Sequence, residues 1–154
     1  SGTAWAKTKE SNNSAAWQAF WTHAAEAPSG DLMFSLEAAN WDASVMSADF
    51  RQDGPYRVYV WQPNPGKAAT VYASFNEAKR IHTNAGAKVN IYSEGVGGIG
   101  NVHYVITFDS WQDMADFGDK MAVSEEFRFL QAAAAGAATP LSSIQGEPVY
   151  YTNR

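Results

Sequence analysis

The order of strand-like and helix-like segments after a Gln-Asp-Gly-Pro turn at 52–55 constrains this chain more than any other feature. Segments rich in β-branched and aromatic residues predict strands over 56–62, 88–94 and 101–108. Between the first two strands, apolar residues at helical spacing predict a helix over 67–84. A second helix follows the third strand. The apolar stripes of the two helices are Val71, Phe75, Ala78 and His82, and Trp111, Met114, Phe117 and Met121.

Local signals mark the ends of these elements. Gly86 suits the left-handed end of the first helix, and Ser110 with Asp113 resembles a capping box. Ser124 predicts the start of a short helix over 125–135. Residues 139–146 are predicted to be a loop and 147–152 a final strand. The glycine-rich stretch 95–100 is predicted to join two strands, because no helix and no Gly-Lys-Ser/Thr follow it as in a phosphate-binding loop.

The resulting order, β-α-β-β-α-(α)-β, is that of the ferredoxin-like fold. It predicts an α+β domain over residues 56–154, with one antiparallel sheet and the helices on one face. The other face is too apolar for water. It therefore requires a ligand, or a second sheet from the same chain or from a partner, which would give a dimeric or pseudo-dimeric α/β barrel.

Residues 1–55 are predicted to be a partial or degenerate repeat, or an arm, made of a helix and a strand. The helix begins near Ser14, and strand-like alternation covers 32–37. Residues 34–50 loosely echo 105–121. No convincing strand precedes the helix, so the sequence leaves open whether this segment completes a second repeat or covers the sheet.

Four short motifs after residue 56 carry a resemblance to known proteins: Pro65-Gly66-Lys67, Ala85-Gly86-Ala87, Phe108-Asp109-Ser110 and Glu125-Glu126-Phe127. With these motifs, residues 56–154 resemble the dimeric α/β-barrel superfamily, which includes antibiotic-biosynthesis-monooxygenase-like and NIPSNAP-like domains. The resemblance implies a ferredoxin-like fold and a homodimer or higher homo-oligomer. It does not imply one activity, because the superfamily spans oxygenases, isomerases, cyclases, haem enzymes and proteins of no known activity.

Composition excludes several classes of function. A net charge of −5 argues against binding to duplex nucleic acid, which needs a basic surface. No apolar run is long enough to predict a membrane-spanning helix, and the first residues do not resemble a signal peptide. The absence of cysteine excludes disulfides and thiolate zinc sites. Together with a charged fraction of only 18%, it favours an exported protein, periplasmic or extracellular.

Alternation along the strands assigns side chains to the two faces of the sheet. We expect Val58 and Val60, Val89 and Ile91, and the set Val102, Tyr104, Ile106 and Phe108 on the helix side. The opposite side would form the barrel interior, where aromatic walls with a few polar groups suit a small-molecule pocket. The candidate site residues expected there are Arg57, Tyr59, Trp61, Asn90, Tyr92, His103 and Thr107.

His103 is the candidate catalytic residue, as a general base or an iron ligand, because imidazole titrates near neutrality. The alternative is a histidine that is hydrogen-bonded in an interface. His82 and His23 are interpreted as half-buried residues near helix ends. Haem ligation by His82 or His103 is compatible with the superfamily, but no flanking motif supports it. No cofactor and no metal are predicted.

Two functions remain open, and the sequence does not decide whether the protein is an enzyme. The first is a small-molecule-binding barrel for a hydrophobic or aromatic ligand. It could act as a cofactor-independent monooxygenase, isomerase or cyclase on an aromatic or polyketide-like substrate, with His103 as proton acceptor. The second is a non-catalytic structural or assembly protein that self-associates through its aromatic sheet face. An open cavity favours the first, and a filled, dry interface favours the second.

Overall fold

A computed structural model describes residues 36–45 and 54–148. It also describes five helical residues nearer the start of the chain, which are Ala15, Gln18, Ala19, Thr22 and His23. The contacts divide the chain into two units, Ser1–Ser35 and Leu36–Arg154. The five helical residues lie within the first predicted helix. Of the strand predicted over 32–37, only Leu36 and Glu37 are described, and neither is in a strand.

The second unit is an α+β fold with one antiparallel sheet, as predicted. The strands lie in the order β1-β3-β4-β2-β5. Strands β2 to β5 with their helices have the ferredoxin-like arrangement, to which β1 adds a fifth strand. The strands are β1 (Ala38–Asn40), β2 (Tyr56–Pro63), β3 (Lys88–Glu94), β4 (Val102–Thr107) and β5 (Ala138–Gly146), and the helices are α1 (Ala68–Asn84), α2 (Trp111–Val123) and α3 (Glu125–Ala133).

Strand β1 comes from the segment upstream of the predicted domain. It pairs with β3, with Ala39 opposite Ser93. Trp41, which follows β1, stacks on Tyr72 of α1 with ring centroids 3.8 Å apart, and its Nε1 donates to Ser93 Oγ at 2.7 Å. Part of the upstream segment therefore extends the sheet and packs on its first helix.

The helix ends follow the predicted local chemistry. Ser110 Oγ accepts a hydrogen bond from the backbone N–H of Asp113 at the start of α2, and Ser124 Oγ accepts one from Phe127 at the start of α3. Each such cap is worth about 1 kcal/mol. Gly86 has a φ of 105°, which a residue with a side chain rarely adopts, and it ends α1 as predicted.

The prediction of a loop over 139–146 is wrong, because these residues form most of β5. This strand lies at the end of the sheet order and pairs with β2 alone among the described strands. Its Ala, Ser and Thr residues and Pro140 give little hydrophobic alternation, and proline is tolerated on an edge strand. Of the predicted strand 147–152, Glu147 and Pro148 are outside any strand, and 149–152 lie outside the described residues.

The three helices pack on one face of the sheet, called here the helix face. Phe75 of α1 contacts Tyr104, Phe117 of α2 contacts Phe108, and both helices contribute to the buried core. The faces predicted for β3 and β4 are confirmed, since Val89 and Ile91 lie opposite Ile106 and Tyr104. The helix face therefore carries the apolar core.

The faces predicted for β2 are wrong. Arg57, Tyr59 and Trp61 lie opposite Ile106, Tyr104 and Val102 on β4. Directly opposed residues of antiparallel strands share a face, so these three side chains lie on the helix face. Val58 and Val60 lie opposite Val105 and His103, on what is called here the opposite face. Both alternating sets of β2 are apolar enough for a core, so only pairing with β4 decides between them.

Candidate ligand cavity

A cavity of about 560 Å³ lies between the helix face and the three helices. Strands β2 and β4 form its floor, and residues of α1, α2 and α3 form its walls. Its volume falls within the range of small-molecule pockets, roughly 300–1,000 Å³. Tyr104 and His82 line the cavity together with five further aromatic side chains: Tyr59, Trp61, Phe75, Phe117 and Phe127.

Small residues on the helices leave this space open. Ala78 of α1 and Gly118 of α2 face the cavity, and Ala134 and Ala137 lie on its wall after α3. A Cβ atom built at Gly118 would meet no atom within 4 Å. The alanine-rich stretches of the sequence therefore act here as short side chains that keep the helices from filling the gap.

Aromatic contacts hold the cavity wall in place. Phe75 meets Tyr104 edge-on, with ring centroids 5.4 Å apart, and Trp61 meets Phe75 in the same way at 6.2 Å. Edge-to-face pairs add about 0.5–1.5 kcal/mol beyond the burial of their area. The wall is thus an ordered aromatic surface that runs from β2 to α1.

His82 and Tyr104 are the polar pair inside this aromatic wall. Tyr104 Oη and His82 Nδ1 lie 3.0 Å apart, and the His82 ring packs edge-on to Phe117 at 5.2 Å. Both residues are buried. Burial lowers the pKa of His82 to about 4 and raises the pKa of Tyr104, so both side chains are neutral at neutral pH.

A neutral imidazole carries its proton on one of its two ring nitrogens. Either the Tyr104 hydroxyl donates to His82 Nδ1 and the proton lies on Nε2, or Nδ1–H donates to the Tyr104 oxygen and Nε2 is an acceptor. His82 lines the cavity, and its Nε2 makes no hydrogen bond to the described residues. The pair therefore offers a ligand an uncharged imidazole nitrogen, which donates or accepts according to the tautomer.

The sequence-based interpretation of His82 as a half-buried helix-end residue is wrong, because its exposed fraction is only 6%. The signal that could have located it was already present. His82 shares the apolar stripe of α1 with Val71, Phe75 and Ala78, so its ring must point at the sheet.

His103 lies on the opposite face. Its Nε2 is 2.8 Å from Glu94 Oε1. The Glu94 carboxylate also accepts from the backbone N–H groups of Ile99 and Asn101 and from the side-chain amide of Asn101. Burial alone would raise the pKa of Glu94, but these hydrogen bonds, led by that of His103, lower it below its ordinary value. The arrangement closes the hairpin between β3 and β4.

The predicted site residues therefore divide into two groups, and the prediction that they share one interior is wrong. Arg57, Tyr59 and Trp61 line the cavity on the helix face. The others lie on the opposite face, where Asn90 Oδ1 accepts from Asn40 and the Thr107 hydroxyl donates to the Lys88 carbonyl. Side chains on opposite faces of one sheet cannot line the same pocket of one chain. The opposite-face residues are His103, Asn90, Tyr92 and Thr107.

Two further findings concern the kind of site. Within 36–45, 54–148 and the few described residues before them, no three histidine, aspartate or glutamate side chains come together to hold a metal ion. No described helix is both long enough and apolar enough to cross a membrane.

The fold is similar to solved structures at low sequence identity. Two crystal structures of one NIPSNAP family protein of unknown function from Agrobacterium tumefaciens match 64% of this chain at 11% identity. The match covers 90% and 96% of the length of the two Agrobacterium chains, and the TM-scores are 0.54 and 0.55. A Chloroflexus aurantiacus protein provisionally assigned as an antibiotic biosynthesis monooxygenase matches at 10% identity, covering 64% of this chain and 96% of that one, with a TM-score of 0.46.

No protein-family model and no curated protein matches the sequence. At these identities the matched structures establish the fold alone. The predicted resemblance is therefore confirmed for the fold. The described part of residues 56–154 has a ferredoxin-like α+β fold that is similar to the fold of the NIPSNAP family protein.

Proposed function

We propose that the protein binds a small apolar ligand in the cavity between the helix face and the helices. The single observation that carries this proposal is the cavity itself, about 560 Å³ walled by ordered aromatic side chains. Apolar surface left in contact with water costs about 25 cal/mol per Å². An apolar occupant would remove that cost, which favours binding at this place.

The polar groups of the cavity would orient the ligand. Tyr104 holds the imidazole through Nδ1, and in the tautomer with its proton on Nε2, His82 would donate to a carbonyl, hydroxyl or phenolate oxygen of the ligand. Any monooxygenase, isomerase or cyclase chemistry on this ligand would involve His82 and Tyr104 rather than His103, since only these two line the cavity. The proposal assigns binding, and it leaves the reaction open.

A substitution that fills the cavity without harming the fold tests this proposal. Gly118→Leu adds a side chain where a Cβ meets no atom within 4 Å, and it replaces glycine in a helix, which favours α2 by about 1 kcal/mol. We expect the variant to melt no lower than the unchanged protein and to lose binding of N-phenyl-1-naphthylamine. Binding is followed by the fluorescence of this neutral apolar probe.

The matched control is Ala115→Leu, on an exposed position of the same helix. It should bind the probe as the unchanged protein does. Failure of the unchanged protein to bind the probe, or equal binding by Gly118→Leu, would reject the cavity as a ligand site.

The opposite face favours a second candidate function, self-association with a second copy of this chain. Val58 lies between Val105 and Ile144, and Ile144 is 52% exposed. The positions of β2, β4 and β5 on this face include no Asp, Glu, Lys or Arg. Strand β3 adds Lys88 and Glu94 to this face, and they contact Asp109 and His103. An identical copy of β2, β4 and β5 could therefore pack against these three strands without burying an unpaired charge.

Light scattering coupled to size exclusion tests this second candidate. We expect the unchanged protein to be a dimer and Val58→Lys to shift it to a monomer, because a lysine on each copy would be buried without a partner. Val123→Lys, at a position 74% exposed on α2, is the control and should leave the mass unchanged. A monomeric unchanged protein would exclude self-association.

A further inference from the structure

We propose that the ligand of the cavity is an apolar carboxylic acid, and that Arg57 binds its carboxylate. This inference rests on the proposed binding function and adds the chemical class of the ligand. Arg57 lies on β2 and lines the cavity together with Tyr59 and Trp61. It is the one positively charged side chain among the lining residues of the described cavity.

Arg57 differs from the other described arginines in lacking an acidic partner. Arg80 contacts Glu77 and Glu126, and Arg128 lies 4.0 Å from Glu125. No carboxylate of the described residues lies within ion-pair distance of Arg57. In a chain with 16 acidic and 11 basic residues, a guanidinium at the edge of an apolar cavity with no acid beside it among the described residues points to the anionic group of a ligand.

The neighbour of Arg57 on β5 holds the guanidinium in a useful orientation. Gln145 lies directly opposite Arg57 in the register of the two strands, and its Oε1 accepts from Arg57 Nε at 2.8 Å. This contact occupies Nε and leaves the two terminal nitrogens. Those nitrogens form a planar fork that matches the two oxygens of a carboxylate.

The same strand supplies the binding surface for the rest of the ligand. Side chains on one face of a strand are spaced by two residues, about 6.6 Å. Arg57, Tyr59 and Trp61 therefore form a row about 13 Å long, with the cation at one end and two aromatic rings beyond it. A carboxylate attached to an aliphatic or aromatic body matches this order of charge and apolar surface.

A pair of competitors that differ only in the head group tests the inference. Decanoate and decanol are each titrated against bound N-phenyl-1-naphthylamine, with the unchanged protein and with Arg57→Gln. A charged hydrogen bond is worth roughly 1.5–3 kcal/mol, so we expect decanoate to bind about tenfold to a hundredfold more weakly to the variant. Decanol should bind both proteins within about twofold of each other.

Arg128→Gln is the matched control, because it removes an exposed arginine that does not line the cavity. It should change neither affinity. Equal decanoate binding by the unchanged protein and Arg57→Gln would overturn the assignment of Arg57. A loss of decanol binding in Arg57→Gln as large as the loss of decanoate binding would also overturn it, because Arg57 would then only maintain the shape of the cavity. Absence of probe binding by the unchanged protein would instead reject the proposed function, and this inference with it.

Discussion

The two histidines of the sheet region show how differently one side chain is accommodated on the two faces. His82 on the helix face is buried among aromatic rings, and its hydrogen-bond partner is the neutral Tyr104 hydroxyl. His103 on the opposite face is partly exposed, with 24% of its side chain accessible, and its partner is the Glu94 carboxylate. The helix face thus keeps its histidine neutral, while the opposite face places a histidine beside a charge. The candidate ligand cavity lies on the helix face, beside the neutral His82.

The largest expected effect is a loss of stability on acidification that His82 causes. Its pKa is lowered from 6.5 to about 4 in the folded protein, so the unfolded chain takes up a proton first as the pH falls. Stability should therefore decrease between about pH 6.5 and pH 4 and level off below. One pKa unit corresponds to about 1.4 kcal/mol, so the fall of the pKa from 6.5 to about 4 gives an upper limit of about 3.5 kcal/mol.

Urea denaturation of variants across this pH range checks the assignment. His82→Gln should lose most of this pH dependence, whereas His103→Gln should retain it. The pKa of Glu94 in the folded protein lies below its ordinary value of 4.5. Its contribution to the stability of the fold is therefore present above pH 4.5 and is lost only at lower pH. An unchanged slope in His82→Gln would show that the comparison of the two histidines is wrong.

A smaller effect is expected at the charged partner on the opposite face. Glu94→Gln replaces a carboxylate that accepts from His103, Ile99 and Asn101 by an amide whose nitrogen cannot accept. Leaving donors of this hairpin without an acceptor should lower the free energy of unfolding by about 2 kcal/mol. Asp119→Asn, on an exposed position of α2, removes the same charge and should cost less than about 0.5 kcal/mol.

The smallest effect is expected from the neutral pair. Tyr104→Phe removes the hydroxyl that is hydrogen-bonded to His82 Nδ1 and leaves this buried nitrogen without its partner. We expect a loss of about 1 kcal/mol in chemical denaturation. The hydroxyl of Tyr72, on a ring 49% exposed, makes no hydrogen bond to the described residues, so Tyr72→Phe should be neutral. If Tyr104→Phe lowered the free energy of unfolding more than Glu94→Gln does, the expected order of the two effects would be wrong.

The sequence predicted the elements with strong periodicity and missed those whose position depends on a neighbour. Strands β3 and β4 and helices α1 and α2 have clear alternation or apolar stripes, and their faces follow from these patterns. Strand β5 could not be recognised in this way, since it pairs on one side with β2 and carries few large apolar residues.

The candidate site was harder to predict than the fold. Arg57, Tyr59 and Trp61 were identified as a group, but alternation alone cannot tell which face of the sheet an apolar strand presents to the helices. The cavity also depends on where Ala78 and Gly118 fall when α1 and α2 pack on the sheet. That packing brings together residues distant in sequence, and no local pattern encodes it.

Pro140 in β5 has a consequence for how copies of the protein can associate. The residue lies opposite Trp61, beside the register shift between Val60 and Trp61, in the strand that ends the sheet order. Proline has no N–H, so Pro140 cannot donate a backbone hydrogen bond to a further strand at this position. Growth by edge-to-edge strand addition is therefore disfavoured at Pro140.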